Sequence, residues 1–388
     1  MTRSRPSGCW PMPRERLLLE AALLDDEAAR GAWEQWRSTD NLDDLDAGAQ
    51  RLLPLLYRRL VALEVNDPTL SKLKGVYRRS WYRNQRLFHR VGTALADLHT
   101  AGIQTMVLKG AALSILHYRD RGARPMEDAD VLVPIERAAD AMAVLRDSGW
   151  SPESLRPERL IGVRHAEALE DDEGLSIDLH WTALSQPSGD EALWTASVPA
   201  HVGGTATRAL GAADQLLHVC LHGAAWETTA RASPQAVSHV RWVADAVTVL
   251  RSEPDLDWDR CLEQARSRRL TVALAGMLGY LRDGFAPSIP AALIEALEAT
   301  PTSRLERAAQ RAAMRSPSLP RTLMIERDRY LRLREVGGGG PGGGRAPKSF
   351  PAYVRDHRDF ERYGDLAAHW LRRLGEWRSR RVVARRAR

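Results

Sequence analysis

Cysteine and long apolar runs are scarce in this chain of 388 residues. Its three cysteines, Cys9, Cys220 and Cys261, show neither CxxC spacing nor the Cys/His spacing of a zinc finger. Such scattered cysteines indicate a reducing compartment and argue against structural zinc. No run of about 18 apolar residues occurs, and the apolar Leu17–Leu19 leads directly into acidic residues. We therefore expect a cytoplasmic protein with neither a signal peptide nor a transmembrane segment.

Two catalytic fingerprints are also missing. The sequence contains no GxSxG turn, which places a nucleophilic serine in many hydrolases, and no GxxxxGK[ST] loop, which cradles phosphates in P-loop proteins. His218 and His222 have the i, i+4 spacing of a helical zinc pair, but Val219 stands where a metalloprotease needs glutamate. These absences leave both hydrolase classes and the P-loop class without support.

The positive charge is concentrated near the C-terminus. The formal net charge of +6 by itself favours an anionic partner. Residues 345–388 hold 13 Lys and Arg against 5 Asp and Glu, so the other 344 residues carry a balance of −2. Because steering a long polyanion needs basic surface near the site, this near-neutral body favours a small-molecule, peptide or protein acceptor over nucleic acid.

Hydrophobic spacing predicts helical regions around a short α/β segment. Leu87, Val91 and Leu98 recur with a helical period, and Gly102 can end that helix at positive φ. Strand, helix, strand, helix and hairpin patterns follow, after which helical spacing returns. We predict an α+β fold with a small mixed-sheet core between helical regions. The predicted units are a helical N-terminal region (1–101), the core (102–210), a helical C-terminal domain (211–335), a glycine-rich linker (336–344) and a basic amphipathic tail (345–388).

Acidic residues lie on two predicted strands of the core. In the strand 128–133, a period of two places Asp128 and Asp130 on one face. In the hairpin strand 175–181, Asp178 and His180 share a face, so adjacent strands would bring three carboxylates together. Neighbouring carboxylates repel each other unless a cation lies between them, and Mg²⁺ prefers oxygen ligands. Three of them can hold two metal ions for phosphoryl or nucleotidyl transfer.

A strand-to-helix turn at Lys109-Gly110 precedes the acidic pair. Backbone N–H groups at such a turn bind anions, and Gly110 permits close approach of a phosphate. Lys109 is one of four lysines against 52 arginines, which suggests an ammonium that reaches phosphate, although a solvated surface lysine is the alternative. Arg124, like Arg119 and Arg121, precedes the aspartates and could balance triphosphate charge.

Taken in order, these motifs resemble those of the nucleotidyltransferase superfamily with the DNA polymerase β-like core, in particular its branch of uncharacterised nucleotidyltransferases. The matching pieces are VLKGAAL, RPMEDADVLV, SIDLHW, ADQLLHVCLHGAAW, VRWVADAV and LDWD. The resemblance implies a mixed sheet with helices, a Mg²⁺-dependent site and a nucleoside triphosphate (NTP) donor. It implies Asp128, Asp130 and Asp178 as metal ligands and Gly110 as the glycine of the phosphate turn. This chain has Ala111 where the superfamily usually has Gly or Ser, and its gap from Gly110 to Asp128 is longer.

Several other residues have a structural and a functional interpretation. For His218 and His222 we favour packed or hydrogen-bonded side chains, with a substrate contact from His222 as the minority hypothesis. His180 is placed to touch the site. Asp245, on the helix that carries Trp242, could orient a substrate or hold an arginine, and we favour the structural role.

The C-terminal tail also has two interpretations. Eight of its arginines form a basic run that could bind phosphate, an anionic membrane surface or an acidic partner, or could simply be solvated. They are the arginines at positions 372, 373, 378, 380, 381, 385, 386 and 388. Trp370 and Trp377, seven residues apart, suggest docking on the body or on a partner.

The sequence therefore predicts a Mg²⁺- or Mn²⁺-dependent nucleotidyltransferase. Asp128, Asp130 and Asp178 would be the catalytic metal ligands, and Lys109, Gly110, Arg124 and His180 would contact the nucleotide. The acceptor stays open among a small molecule, a peptide, a protein and, less favoured, a nucleic acid. The alternative is a catalytically degenerate scaffold that acts through its basic tail.

Overall fold

The computed structural model describes residues 8–154, 156–185, 189–224, 240–315, 318–336, 347–360, 362–365 and 372. Across these ranges, helices surround a mixed sheet of seven strands, as the predicted α+β class requires. None of the helices there is both long and apolar enough to cross a membrane.

The sheet has strand order β3-β4-β5-β2-β1-β7-β6. Its strands are β1 (Met106–Val107), β2 (Asp128–Leu132), β3 (Ser151–Pro152), β4 (Ala166–Glu170), β5 (Ser176–His180), β6 (Val198–Val202) and β7 (Thr205–Ala209). Strand β2 runs parallel to β5, and β1 runs parallel to β7, while the other neighbours are antiparallel. The two strands predicted to carry aspartates are therefore adjacent near the centre of the sheet.

Helices make up most of the remaining described structure. They are α1 (Pro13–Leu23), α2 (Asp26–Thr39), α3 (Ala47–Gln50), α4 (Leu53–Ala62), α5 (Leu70–Thr100), α6 (Lys109–Leu113), α7 (Ala138–Asp147), α8 (Glu191–Thr195), α9 (Ala212–Gly223), α10 (Arg241–Ser252), α11 (Trp258–Ser267), α12 (Thr271–Gly284), α13 (Ala291–Glu298), α14 (Arg304–Ala313), α15 (Leu319–Val336) and α16 (Phe350–His357).

Helix α5 covers one face of the sheet. Its apolar side chains at helical spacing, including Leu87, Val91 and Leu98, are buried, and the helix packs against β2, β6, β7 and α7. Burying each such side chain stabilises the fold by about 1.5–3 kcal/mol. The helix ends where the sequence predicts, with Gly102 at φ +68°, a conformation that glycine adopts without steric cost.

A second apolar core joins the two helical regions. It includes Leu18, Trp33 and Leu56 from the N-terminal helices and Val243 and Leu274 from the C-terminal helices. The chain thus brings its two helical regions together beside the sheet. The domain boundaries stay predictions.

The structure differs from the predicted elements in two places. Strands β6 and β7 form an antiparallel hairpin that the sequence patterns did not indicate. Within the predicted helical C-terminal domain, the helical spacing of residues 257–285 favours one continuous helix. These residues form two helices, because the chain turns at Arg269, whose φ is +54°. Trp370 and Trp377 and most of the arginines of the basic run lie outside the described residues.

Helix α16 lies inside the predicted tail and packs on α15. The Tyr353 hydroxyl donates to Glu326 at 3.1 Å, and Arg358 Nη2 donates to the same carboxylate at 3.0 Å. Arg164, in the loop before β4, donates to the His357 carbonyl oxygen at 2.8 Å. The partner of the basic run itself stays a prediction.

Candidate active site

The three predicted aspartates lie on one face of the sheet. Strands β2 and β5 are in register, with Asp130 opposite Asp178 and Asp128 opposite Ser176. Because side chains alternate along a strand, Asp128 and Asp130 point away from the core, while Ala129 between them is buried in it. The local pattern of alternating apolar and acidic residues therefore produces a carboxylate cluster on adjacent strands.

His180 completes the cluster. Its Nε2 atom lies 3.1 Å from Asp130 Oδ1, and its Nδ1 atom lies 3.2 Å from the Thr182 carbonyl oxygen. Within the described ranges, Asp130, Asp178 and His180 are the group of potential metal ligands whose ligand atoms all lie within 4.8 Å of one another. Asp128 lies next to this group along β2. The imidazole is fully buried, so it lies beneath the carboxylates and holds Asp130 in place.

The carboxylates perturb one another strongly. Burial, followed by the charges of Asp130 and Asp128, raises the pKa of Asp178 to about 6. Burial and the Asp130 charge also raise the pKa of Asp128 above its ordinary value. Burial would raise the pKa of Asp130 as well, but Lys109 and the hydrogen bond to His180 outweigh it and hold that pKa far below its usual range. One of the three carboxylates is thus firmly ionised, and the other two resist ionisation.

Lys109 lies at the predicted turn and contacts the cluster. Its Nζ atom lies 2.8 Å from Asp130 Oδ1, so the ammonium neutralises part of the acidic charge. The residue has φ +42°, a conformation that is uncommon outside glycine and costs of order 1–3 kcal/mol. The solvated-lysine alternative is not what the structure shows, since the side chain is mostly buried against Asp130.

Gly110 follows Lys109 at the start of α6. A Cβ atom added there would lie 2.5 Å from Arg124 Nη1 and 3.0 Å from Met126 Cγ. The absent side chain therefore lets the Arg124 guanidinium pack against the turn. That Gly110 also admits a phosphate stays a prediction.

Arg124 is fixed by Asp245. Its Nε and Nη2 atoms each donate to the Asp245 carboxylate at 2.9 Å, a bidentate pair, and the Tyr118 hydroxyl donates to the same group at 2.8 Å. Burial opposes the charge of Asp245, but Arg124 holds the pKa of its carboxyl below the ordinary value. Asp245 thus holds an arginine, as we predicted.

Two arginines that the sequence analysis missed also face the site. Arg241 donates from Nη1 to the Pro125 carbonyl oxygen at 3.0 Å, and burial with the nearby Arg124 charge lowers its pKa to about 10. Arg51, from the N-terminal helical region, pairs with Glu127 at 2.7 Å. Arg241 lies within the quoted VRWVADAV motif, whereas nothing around Arg51 in the sequence marks it as part of a site. The arginines at positions 119 and 121 lie outside the pocket lining.

The three aspartates, Lys109, Gly110 and the arginines at positions 51, 124 and 241 line one pocket of about 260 Å³, whereas the fully buried His180 is not among its lining residues. Its acidic floor is the aspartate cluster, and its walls carry basic side chains from three regions of the chain. His218 and His222 also line it, from helix α9. The lining residues are Gly48, Arg51, Lys109, Gly110, Leu113, Arg124, Met126, Glu127, Asp128, Asp130, Asp178, His218, Val219, His222, Gly223, Arg241, Trp242 and Asp245.

The donor set of the floor fits a hard divalent cation. Carboxylate oxygens are the ligands that Mg²⁺ and Mn²⁺ prefer, and an imidazole is compatible with Mn²⁺. The raised pKa values of Asp128 and Asp178 show that full ionisation of the cluster is unfavourable until positive charge is added.

Comparison with known proteins places this site in a family. No curated protein sequence matches the chain. One solved structure that matches is the crystal structure of an antigenic nucleotidyltransferase-like protein from Paracoccidioides brasiliensis, with 17% identity and a TM-score of 0.35, over 56% of this chain and 94% of that chain. The family model described as "Uncharacterised nucleotidyltransferase" matches residues 46–286, well over half of the chain and every residue of the pocket. The chain therefore belongs to this family of uncharacterised nucleotidyltransferases.

Proposed function

We propose that this protein transfers a nucleoside monophosphate from an NTP to an acceptor hydroxyl and that the reaction depends on Mg²⁺ or Mn²⁺. The observation that carries the proposal is the register of β2 and β5, which sets Asp130 beside Asp178 with Asp128 on the same face. Family membership supports nucleotidyl transfer, and the acidic floor beneath basic walls fits a metal-bound triphosphate.

Asp128, Asp130 and Asp178 are the residues that would hold the metal, with His180 orienting Asp130. A bound divalent ion would supply charge neutralisation at the phosphates and a lowered pKa at the acceptor hydroxyl. Lys109 sets the charge balance of this floor, because its ammonium already contacts Asp130.

The donor phosphates would lie beside the Lys109-Gly110 turn, in the pocket that Arg124 and Arg241 also line. Arg241 is mostly buried next to another guanidinium, Arg124, so an anion in the pocket would relieve that repulsion. Arg124 is already engaged by Asp245, so it would act on the phosphates through its charge. Arg51 would add charge at the pocket rim.

In the reaction, the acceptor oxygen forms a bond to the α-phosphorus while the bond from that phosphorus to the β-phosphate oxygen breaks. Pyrophosphate leaves, and its charge is balanced by the arginines of the wall. We assign the proton of the acceptor hydroxyl to a carboxylate oxygen of Asp178, which lies on β5 directly opposite Asp130.

The test uses the purified full chain with Mg²⁺ or Mn²⁺ and each α-labelled NTP, with cell extract as the source of acceptor. We expect label transfer, and we expect D128N and D130N to reduce it by at least about 100-fold because each removes negative charge that the metal requires. The matched control is D172N, which removes an exposed aspartate from the turn between β4 and β5 and should transfer label like the wild type.

The degenerate-scaffold alternative predicts the opposite result. In that case the chain transfers no label and binds no NTP in a metal-dependent manner. Two results would contradict the proposed function. One is label transfer by D130N at the wild-type rate, and the other is a wild-type chain that neither transfers label nor binds NTP in a metal-dependent manner.

A further inference from the structure

The outer surface of α5 carries an unusually basic stretch of the chain. From Leu70 to Ala96 this helix contains no acidic residue. Three of its basic residues are used in ion pairs, Lys72 with Asp43, Arg86 with Glu173 and Arg90 with Asp171. The others are Lys74, Arg78, Arg79 and Arg83.

Two aromatic side chains interrupt these charges. Trp81 is 46% exposed and Tyr82 is 63% exposed, both within one turn of Arg78. We call the set Lys74, Arg78, Arg79, Trp81, Tyr82 and Arg83 the basic-aromatic face. A helix face that only needs to be solvated gains nothing from exposed aromatic rings, because each leaves apolar area in contact with water.

The basic-aromatic face lies at the edge of the pocket. Arg83 Nη2 lies 3.4 Å from the Glu127 carbonyl oxygen. The next residue, Asn84, donates to the Arg124 carbonyl oxygen at 2.8 Å and accepts from the Met126 backbone nitrogen at 3.2 Å. These three partners line the pocket, so α5 borders the pocket at Arg83.

The spacing along α5 suits a chain of nucleotides. Lys74 and Arg83, the ends of the basic-aromatic face, are nine residues apart, which is about 13.5 Å along a helix. That length spans roughly four nucleotides at a stacked spacing of about 3.4 Å. Surfaces that bind single strands combine basic groups along the backbone with aromatic rings on which bases stack.

We propose that the basic-aromatic face binds single-stranded nucleic acid and directs its terminal hydroxyl into the pocket as the acceptor. The acceptor role depends on the proposed function, whereas the binding does not. The charge balance of −2 for the first 344 residues conceals this surface, because acidic residues elsewhere offset the arginines of α5. Local charge next to the pocket, and not the regional balance, governs how a polyanion is steered.

The experiment measures binding of labelled single strands of about 12 nucleotides, as RNA and as DNA, by fluorescence anisotropy without NTP or metal. We expect W81A/Y82A to weaken binding by about tenfold or more and W81F/Y82F to restore most of it, because stacking needs only the ring. R78A/R79A should weaken binding and lower the slope of log K against log salt by about 1.4. The matched control is R307A/R311A, which removes two exposed arginines from α14, and it should bind like the wild type.

Three outcomes would overturn the binding proposal. They are the absence of single-strand binding, equal binding by W81A/Y82A and the wild type, and tighter binding to polyglutamate or to phosphatidylserine vesicles than to either strand.

D130N separates this proposal from the proposed function, because it should bind single strands normally and transfer no label. If a bound strand receives no label while another acceptor does, the acceptor role is wrong. Comparing the RNA strand with the DNA strand shows which of the two nucleic acids supplies the terminal hydroxyl.

Discussion

At the scale of single residues, the negative charge of Asp178 destabilises the folded chain when no metal is bound. Its raised pKa of about 6 means that folding becomes less favourable as the pH rises through the interval from about 4 to 6, because the unfolded chain loses that proton more easily. We expect D178N, in EDTA, to be more stable than the wild type at pH 7.5 by on the order of 1–3 kcal/mol. The gain should shrink towards pH 4, where Asp178 in the folded wild type is protonated and therefore neutral, like the asparagine of D178N. Urea unfolding of both proteins at pH 7.5 and pH 4 measures this difference.

Mg²⁺ provides the companion measurement for Asp178. It should raise the melting temperature of the wild type at pH 7.5 and have little effect on D178N, because binding to the native state stabilises it by mass action. A variant that is less stable than the wild type at pH 7.5 in EDTA would show that the Asp178 carboxylate contributes favourable contacts that outweigh the repulsion.

At the scale of elements, the turn from β1 to α6 depends on the missing side chain of Gly110. G110A would place a Cβ atom 2.5 Å from Arg124 Nη1, so the guanidinium must move away from Asp245. We expect a loss of about 1–3 kcal/mol in unfolding free energy, together with weaker NTP binding. The control is G75A on the open surface of α5, where nothing lies within 4 Å, and it should stabilise the helix by about 0.5–1 kcal/mol. If G110A is as stable as the wild type, the turn has room that the structure does not show.

The same scale shows which elements could be predicted from sequence. Strands β2 and β5 alternate apolar residues with polar or charged ones. This local pattern predicts which face of each strand carries the aspartates. The hairpin of β6 and β7 was missed because VPAHV and TATRA carry few large apolar residues, and its Gly203 packs against Phe88 through tertiary contact. The helix break at Arg269 has no glycine or proline to mark it, since an arginine there adopts the positive φ that usually favours glycine.

At the scale of the whole molecule, the basic wall of the pocket arises from residues far apart in the chain. The aspartates and the Lys109-Gly110 turn were predictable because motif and spacing are local. Arg51 and Arg241 were not, because their approach depends on the N- and C-terminal helical regions meeting in one core. A count of charge by segment likewise could not reveal that the middle of α5 lies beside the pocket. Tertiary packing, and not composition, decides which charges share a site.

The tail gives a test at this largest scale. Deleting residues 361–388 removes the whole basic run and leaves α16 in place, so we expect an unchanged melting temperature. Deleting residues 337–388 also removes Tyr353 and Arg358, which leaves the buried carboxylate of Glu326 without two of its hydrogen-bond donors. That deletion should lower the melting temperature by roughly 4–10 °C in calorimetry. Both truncated proteins should bind NTP like the full chain, because every lining residue of the pocket lies between Gly48 and Asp245. Loss of NTP binding on removing residues 361–388 alone would make the basic run part of the active site.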